Sequence, residues 1–284
     1  MTAKDYNNSA TSQKKLLLRL ALGIAVPIAL LSTPACAGFF TSFASSNIFT
    51  GNFEKGDFSG WEQEVCCDYS AQIVSSPKRA GRYATKFKLY KTDPDVSNSR
   101  RAELRLKPVP ANSERWYGFS VFVPHEYAKD RSYEIITQWA ALPDFNLGET
   151  WRTPVLTLSI RDDRFRVSNR WDSKPVNVKF KEAGSQGWYL GDVPKGQWTD
   201  WVFHVKWSHK SDGLIEIWKN GKLVVSKTGP NNYNDKRGPF LKMGIYKPDW
   251  KYNNKSKTTK RVIYFDEVRI GDASVNYKDV VPRL

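Results

Sequence analysis

Short segments in which apolar and polar residues alternate recur along most of the chain. Ala84–Tyr90, for example, alternates Lys86 and Lys88 with Phe87 and Leu89. The same alternation runs through Trp116–Val123, Val155–Ile160, Phe165–Val167, Trp201–Trp207, Leu214–Trp218, Lys222–Val225, Leu241–Tyr246 and Val262–Ile270. A period of two predicts β-strands with one buried face. No helical period extends beyond about two turns, so the pattern predicts an all-β protein.

Turn-forming residues separate these segments. Asn220-Gly221, between Ile215–Trp218 and Leu223–Val225, is the strongest hairpin signal in the chain, because both residues tolerate the positive φ of a tight turn. Many short strands at such spacing favour a β-jelly roll, a concanavalin A-like sandwich, in one domain. We predict that this domain spans 51–284 and follows a short linker at 38–50.

Residues 1–37 have the pattern of a secretory signal peptide. A basic start at Lys14–Arg19 precedes the apolar run Leu20–Leu31, and Ala35–Ala37 forms a small-x-small cleavage site. The run is shorter than the ~20 residues of a membrane span. Acylation at Cys36 and an uncleaved anchor are the alternatives. We expect a secreted or periplasmic protein without a membrane span.

The charge of the chain restricts its partners. The 284 residues carry 44 Lys+Arg against 29 Asp+Glu, a net charge of +15. Removal of residues 1–37 takes away four positive charges and one negative charge, which leaves +12. An electrostatically attracted partner is therefore an anion. Nucleic acid is not expected, since export is predicted and no nucleic-acid-binding motif is present.

The cysteines of the exported chain are the neighbours Cys66 and Cys67. A bridge between adjacent residues forms a strained ring, so we expect two half-buried thiols and no disulfide framework. The chain has three histidines, His125, His204 and His209, and none has zinc-type spacing to the cysteines.

Three predicted strands carry polar residues on a shared face, since alternate side chains of a strand point the same way. The residues that share a face within each strand are Arg101, Glu103 and Arg105; Ile136, Gln138 and Ala140; and Lys242, Gly244 and Tyr246. Gly244 leaves room for a closely approaching ligand. Each pattern alone also fits a solvated strand face, whereas the three together indicate a polar site.

These three segments resemble the motif strands of jelly-roll polysaccharide lyases, a group that includes heparin lyase I, glucuronan lyase and, more distantly, alginate lyases. The resemblance rests on Arg-Ala-Glu-Leu-Arg at 101–105, on the strand with Gln138 and on Lys-Met-Gly-Ile-Tyr at 242–246. It extends over about Phe53–Asp272. The resemblance implies β-elimination on an acidic polysaccharide made of uronic acids.

The resemblance also implies roles for individual residues. Gln138 and Arg101 are expected to hold the C6 carboxylate of the substrate, with Arg105 as a further contact. Tyr246 is expected to transfer the proton. A tyrosine with a pKa near 10 is a weak base at neutral pH, so we expect Lys242 and the arginines to lower the pKa of Tyr246.

The sequence departs from this lyase pattern at one position. Many of these lyases have a histidine two residues after the glutamine, where this chain has Ala140. His204, on the polar face of Trp201–Trp207, is the candidate replacement, and an ordinary strand-face histidine is the alternative. Lys206, on the same face, is a predicted substrate contact. Without the usual histidine, Tyr246 would act as both base and acid. That arrangement favours D-glucuronate or D-mannuronate polymers, in which proton and leaving oxygen depart from the same side.

Tryptophans are candidates for stacking on sugar rings. Trp139, Trp151, Trp171, Trp188 and Trp250 come into consideration, and we predict substrate contacts for Trp139 and Trp250. The alternative for each is burial in the core.

Acidic residues near both ends of the domain are candidate calcium ligands. Glu54, Asp57 and Asp266 offer oxygen donors, which suit this hard cation, although turn and edge-strand acids give the same pattern. A structural Ca2+ is therefore expected, and no organic cofactor.

The sequence favours an exported, monomeric polyuronate lyase. The alternative is a non-catalytic, lectin-like jelly roll that binds acidic glycans with the same face. A glycoside hydrolase ranks lower, because no strand carries a Glu-x-Asp-x-x-Glu pattern that would supply two carboxylates.

Overall fold

The computed structural model describes residues 47–177 and 181–283. In these residues fifteen strands form two antiparallel sheets that pack face to face. The predicted all-β jelly roll is confirmed. The predicted leader and most of the predicted linker lie outside the described residues. No helix in the described part of the chain has the length and apolarity that crossing a membrane requires.

One sheet has eight strands, and hydrogen bonding orders seven of them as β13-β12-β11-β6-β15-β4-β3, with β1 also paired to β15. Its members are β1 (Ile48–Gly51), β3 (Ala71–Val74), β4 (Ala84–Tyr90), β6 (Glu114–Val123), β11 (Gln197–Lys206), β12 (Leu214–Lys219), β13 (Lys222–Thr228) and β15 (Lys260–Asp272). Since β1 begins at Ile48, the sandwich starts three residues before the predicted boundary.

The other sheet has seven strands in the order β10-β9-β8-β7-β14-β5-β2. Its members are β2 (Glu62–Glu64), β5 (Arg101–Arg105), β7 (Glu134–Ala140), β8 (Leu156–Arg161), β9 (Arg164–Trp171), β10 (Gly184–Asp192) and β14 (Phe240–Tyr246). Two four-residue helices, α1 (Asp249–Tyr252) and α2 (Tyr277–Val280), and a 3-10 turn (Phe145–Leu147) complete the described elements.

The core lies between the two sheets and is rich in aromatic rings. Trp139 of β7 packs on Phe203 of β11 with ring centroids 4.7 Å apart, and Phe203 stacks on Phe119 of β6 at 5.7 Å. All three side chains are fully buried. Burial of each such ring stabilises the fold by roughly 1.5–3 kcal/mol. The alternation in the sequence thus marks the core faces of both sheets.

The hairpin between β12 and β13 forms where the sequence predicts it. Asn220 and Gly221 have φ values of 49° and 79°, which suits the twist of the two antiparallel strands.

Two local features differ from the sequence predictions. The register of β7 shifts between Ile135 and Thr137, and Ile136 is buried in the core instead of lying level with Gln138. A bulge of this kind moves one side chain to the opposite face. Cys66 and Cys67 are joined by a disulfide between adjacent residues, so the prediction of two free thiols is wrong.

Candidate active site

A groove of about 690 Å³ lies on the outer face of the seven-stranded sheet. Strand pairing builds it, because Tyr246 is in register with Arg101, and Lys242 is in register with both Arg105 and Gln138. The sequence places five polar side chains on the shared faces of the motif strands, and the groove brings them together: Arg101, Arg105, Gln138, Lys242 and Tyr246. The groove is lined by Glu62, Gln63, Glu64, Ser97, Asn98, Arg101, Arg105, Tyr133, Ile135, Gln138, Ala140, Trp151, Arg152, Thr153, Pro154, Lys242, Tyr246 and Tyr252.

Tyr246 lies at one end of this arrangement, against Arg101. The guanidinium carbon of Arg101 is 4.4 Å from the centroid of the Tyr246 ring. Burial nevertheless raises the pKa of Tyr246 above its ordinary value and outweighs the lowering by Arg101. The predicted lowering of this pKa is wrong for the groove without substrate, and Tyr246 is a neutral phenol there at neutral pH.

The carboxylate of Glu64 is shared by three cations of the groove. Its two carboxylate oxygens lie 2.9 and 2.7 Å from Nζ of Lys242. One of them is also 3.3 Å from Nη1 of Arg101, and the other is 3.5 Å from Nε of Arg105. Sequence reasoning missed Glu64, because β2 has three residues and no apolar alternation. The available signal was Glu62-Gln63-Glu64, which places two acids on one face.

A second carboxylate, Glu103, orients the two groups predicted to hold a substrate acid. Glu103 is fully buried and accepts hydrogen bonds from Nη1 of Arg101 at 3.1 Å and from Nε2 of Gln138 at 2.5 Å. Since β14 lies between β5 and β7, the amide of Gln138 crosses β14 to reach Glu103. The amide nitrogen carries a second N–H that can donate to a ligand.

Gly244 allows close packing of β14 against β5. A Cβ at this position would lie 2.2 Å from the carbonyl oxygen of Ala102, and the φ of Gly244 is +136°. Any side chain would therefore collide with the neighbouring strand. The prediction that Gly244 leaves open space for a ligand is wrong, since the backbone of β5 fills that space.

No histidine lines this groove, and all three histidines belong to the described residues. Ala140 occupies the position of the usual histidine, in register with Phe240. His204 lies on the eight-stranded sheet, where its ring stacks on Trp116 at 3.8 Å and its nitrogens contact Glu114 and Glu216 at 2.7 and 2.8 Å. The predicted catalytic role of His204 is therefore wrong.

Three predicted substrate contacts also lie outside the groove. Lys206 is on the eight-stranded sheet and pairs with Asp212 at 3.0 Å. Trp139 is fully buried in the core. Trp250 is buried as well, and its indole N–H donates to Ser256 at 3.1 Å. These three predictions are wrong, because alternation alone does not tell which sheet a strand joins or which aromatic residues are covered.

Other aromatic side chains are available in the groove. Trp151, Tyr133 and Tyr252 line it and are 52%, 45% and 57% exposed. Trp151 was among the tryptophans that the sequence singled out. Exposed aromatic side chains of this kind are suited to stacking on sugar rings.

The three predicted calcium ligands do not form one site. Asp266 accepts hydrogen bonds from the backbone N–H groups of Arg79 and Ala80 at 2.7 and 3.2 Å. Glu54 accepts hydrogen bonds from the backbone N–H groups of Arg82 and Tyr83. Asp57 accepts a hydrogen bond from the backbone N–H of Ser59. Among the described residues these acids do not gather within common ligand distance. Oxygens that already accept N–H groups do not fit a shared calcium site, and calcium binding by the protein stays a prediction.

The fold and the groove together define a jelly roll with a groove lined by cations and carboxylates on the outer face of one sheet. The family described as "Polysaccharide lyase" matches residues 53–269. The chain belongs to this family, and the protein is a polysaccharide lyase.

Solved structures support the fold. An endo-β-1,4-glucuronan lyase from the fungus Trichoderma reesei matches with a TM-score of 0.71 and 20% identity, over 82% of this chain and 98% of that chain. Alginate lyase A1-II', of polysaccharide lyase family 7, matches with a TM-score of 0.54 and 12% identity, over 79% of this chain and 99% of the other. No curated protein sequence matches the chain.

Proposed function

We propose that this lyase cleaves a polymer of uronic acids by β-elimination in the groove around Tyr246. The observation that carries the proposal is the placement of Arg101 against the ring of Tyr246, with Arg101 and Gln138 in the same groove and both oriented by the buried carboxylate of Glu103. Cationic and amide donors at fixed positions neutralise a substrate carboxylate, and this makes the proton on the neighbouring carbon more acidic.

The proposed reaction needs one group to move a proton. The phenolate of Tyr246 takes the proton from C5, and the negative charge left behind is held by the neighbouring carboxylate. The double bond between C4 and C5 forms as the C4–O bond breaks, and the leaving oxygen takes the proton back from the Tyr246 phenol. Arg101 against the ring stabilises the phenolate, while the carboxylate of the same sugar rests on Arg101 and Gln138.

The proposed substrate is a D-glucuronate or D-mannuronate polymer. No histidine lines the groove opposite Tyr246, and in these two polymers the proton and the leaving oxygen depart from the same side of the ring. The fungal structural neighbour is itself called a glucuronan lyase, which agrees with this choice.

A panel of polyuronates tests the proposal. Cleavage is followed by the ultraviolet absorbance of the unsaturated end group. We expect product from polyglucuronate or polymannuronate and much less from polyguluronate and polygalacturonate. Equal or faster cleavage of the latter two would exclude the proposed stereochemistry, and absence of product from all four would exclude the reaction.

We also propose that the enzyme is exported. The support is the basic and apolar pattern of residues 1–37, which lie outside the described residues. N-terminal sequencing of the mature protein tests this: a first residue at or near Gly38 is expected, and an intact leader on the active enzyme would contradict it.

A further inference from the structure

A row of side chains crosses the seven-stranded sheet away from the groove. Strand pairing connects Tyr246 to Ile135, Ile135 to Ser159, Ser159 to Arg166 and Arg166 to Tyr189. Side chains of directly paired residues lie on the same face of a sheet. Ser159, Arg166 and Tyr189, here called the distal row, therefore share the face on which Tyr246 and Ile135 line the groove.

The distal row continues the groove across the strands. Four strand intervals separate β14 from β10, and at ~4.8 Å each they span about 19 Å. A polymer that crosses the sheet at Tyr246 therefore passes over β8, β9 and β10 if it keeps its direction. Phe165 and Val167, the neighbours of Arg166 in β9, point into the core and are fully buried, so the face of Arg166 is the outer one.

The side chain of Arg166 has no carboxylate partner among residues 47–177 and 181–283. This distinguishes it from Lys242, Arg101 and Arg105, which share the carboxylate of Glu64. A Cβ at Gly187 would lie 2.9 Å from Nη2 of Arg166, so the glycine gives the guanidinium room to lie across β10. An arginine with unpaired donors is suited to bind a carboxylate.

Tyr189 supplies an aromatic surface next to this cation. It is 53% exposed, and the guanidinium groups of Arg164 and Arg166 lie 4.9 and 5.7 Å from its ring centroid. An exposed tyrosine alone is ordinary on a protein surface. Here it stands beside two cations and in register with the proposed catalytic residue, which is a combination suited to an acidic sugar.

We propose that the distal row is a binding site for uronate residues several sugars away from the bond that is cleaved. This inference rests on the proposed function, because it takes the polymer to be a polyuronate. Arg166 binds the carboxylate of a distant sugar, and Tyr189 stacks on a ring of the chain. The enzyme therefore prefers long chains to short oligosaccharides.

Kinetics on two chain lengths test the distal row. Arg166→Gln and Tyr189→Ala are compared with the wild type on polyglucuronate and on its trisaccharide, which is too short to reach from Tyr246 to Tyr189. We expect kcat/KM on the polymer to fall about tenfold in each variant and to stay within about twofold on the trisaccharide. Tyr189→Phe, which keeps the ring, retains the polymer activity. Lys222→Gln removes an exposed charge from the opposite sheet and serves as the matched control.

The outcomes separate the two proposals. A wild-type enzyme that forms no unsaturated product from any polyuronate refutes the proposed function. An active wild type, with Arg166→Gln unchanged on the polymer or equally impaired on both lengths, refutes the distal row alone. Binding can be measured without turnover in the Tyr246→Phe enzyme. Calorimetry compares the affinity of this enzyme for polyglucuronate with that of the double variant that also carries Arg166→Gln. There a Kd about tenfold weaker is expected, and an equal Kd would overturn the assignment.

Discussion

The carboxylate of Glu64 holds the amine of Lys242 with both of its oxygens, at 2.7 and 2.9 Å, in the floor of the groove. The same carboxylate contacts Arg101 and Arg105. In the groove without substrate, three cations therefore surround one carboxylate of the protein itself. The acidic substrate that we propose would meet cations that are already oriented and partly neutralised by Glu64.

Replacement of Glu64 by glutamine is expected to change binding and turnover in opposite directions. The groove gains one positive charge, so KM for a polyuronate should fall about threefold to tenfold, with a steeper dependence on salt. The cations lose their common anchor, so kcat should fall too. Stability should drop by about 1–3 kcal/mol, because Lys242 is left nearly buried without its partner.

Glu62→Gln is the matched control for this variant. Glu62 pairs with Arg105, and both side chains are substantially exposed, so its loss should change stability by less than about 1 kcal/mol. Urea unfolding and steady-state kinetics measure both variants. A higher KM in Glu64→Gln than in the wild type would contradict the role assigned to Glu64.

Tyr246→Phe is expected to remove turnover and leave binding intact. The phenylalanine ring can keep its packing against Arg101, while the group that moves the proton is lost. Loss of a general acid–base group lowers rates by about 10²- to 10⁴-fold. Product absorbance and calorimetric binding of the same polymer check the two parts, and retained turnover would exclude Tyr246 as the proton-transfer residue.

The activity should increase with pH up to strongly alkaline values. Burial raises the pKa of Tyr246 above its ordinary value in spite of Arg101, and the proposed reaction begins from the deprotonated form. Below that pKa, kcat/KM should therefore rise roughly tenfold per pH unit. The profile is measured over the range in which circular dichroism shows an intact fold. A plateau that begins below pH 8 would mean that another group with a lower pKa is the base.

The two tryptophans Trp139 and Trp151 should respond differently to replacement by alanine. Trp139 is fully buried between the sheets, and its loss should cost about 3–5 kcal/mol of the free energy of unfolding. Trp151 is half exposed at the groove, so its replacement should change stability by less than about 0.5 kcal/mol while KM rises. Urea unfolding and kinetics distinguish the two cases, and equal loss of stability would show that Trp151 is a structural residue.

The sequence by itself determined several strands, one hairpin turn and part of the polar face of the motif strands. Alternation at 84–90 and 101–105 predicts β4 and β5 with their observed bounds, and Asn220-Gly221 predicts the β12–β13 turn. These features are local, because strand periodicity and turn conformation depend on neighbouring residues. The same alternation placed Lys242 and Tyr246 on one face.

Only the tertiary structure decided which of these faces meet. His204 and Gln138 both lie on the polar face of a strand, yet β11 and β7 belong to different sheets. Glu64, from a three-residue strand without apolar alternation, became the shared partner of the groove cations. Strand order and sheet membership depend on contacts between residues far apart in sequence, and no local period encodes those contacts.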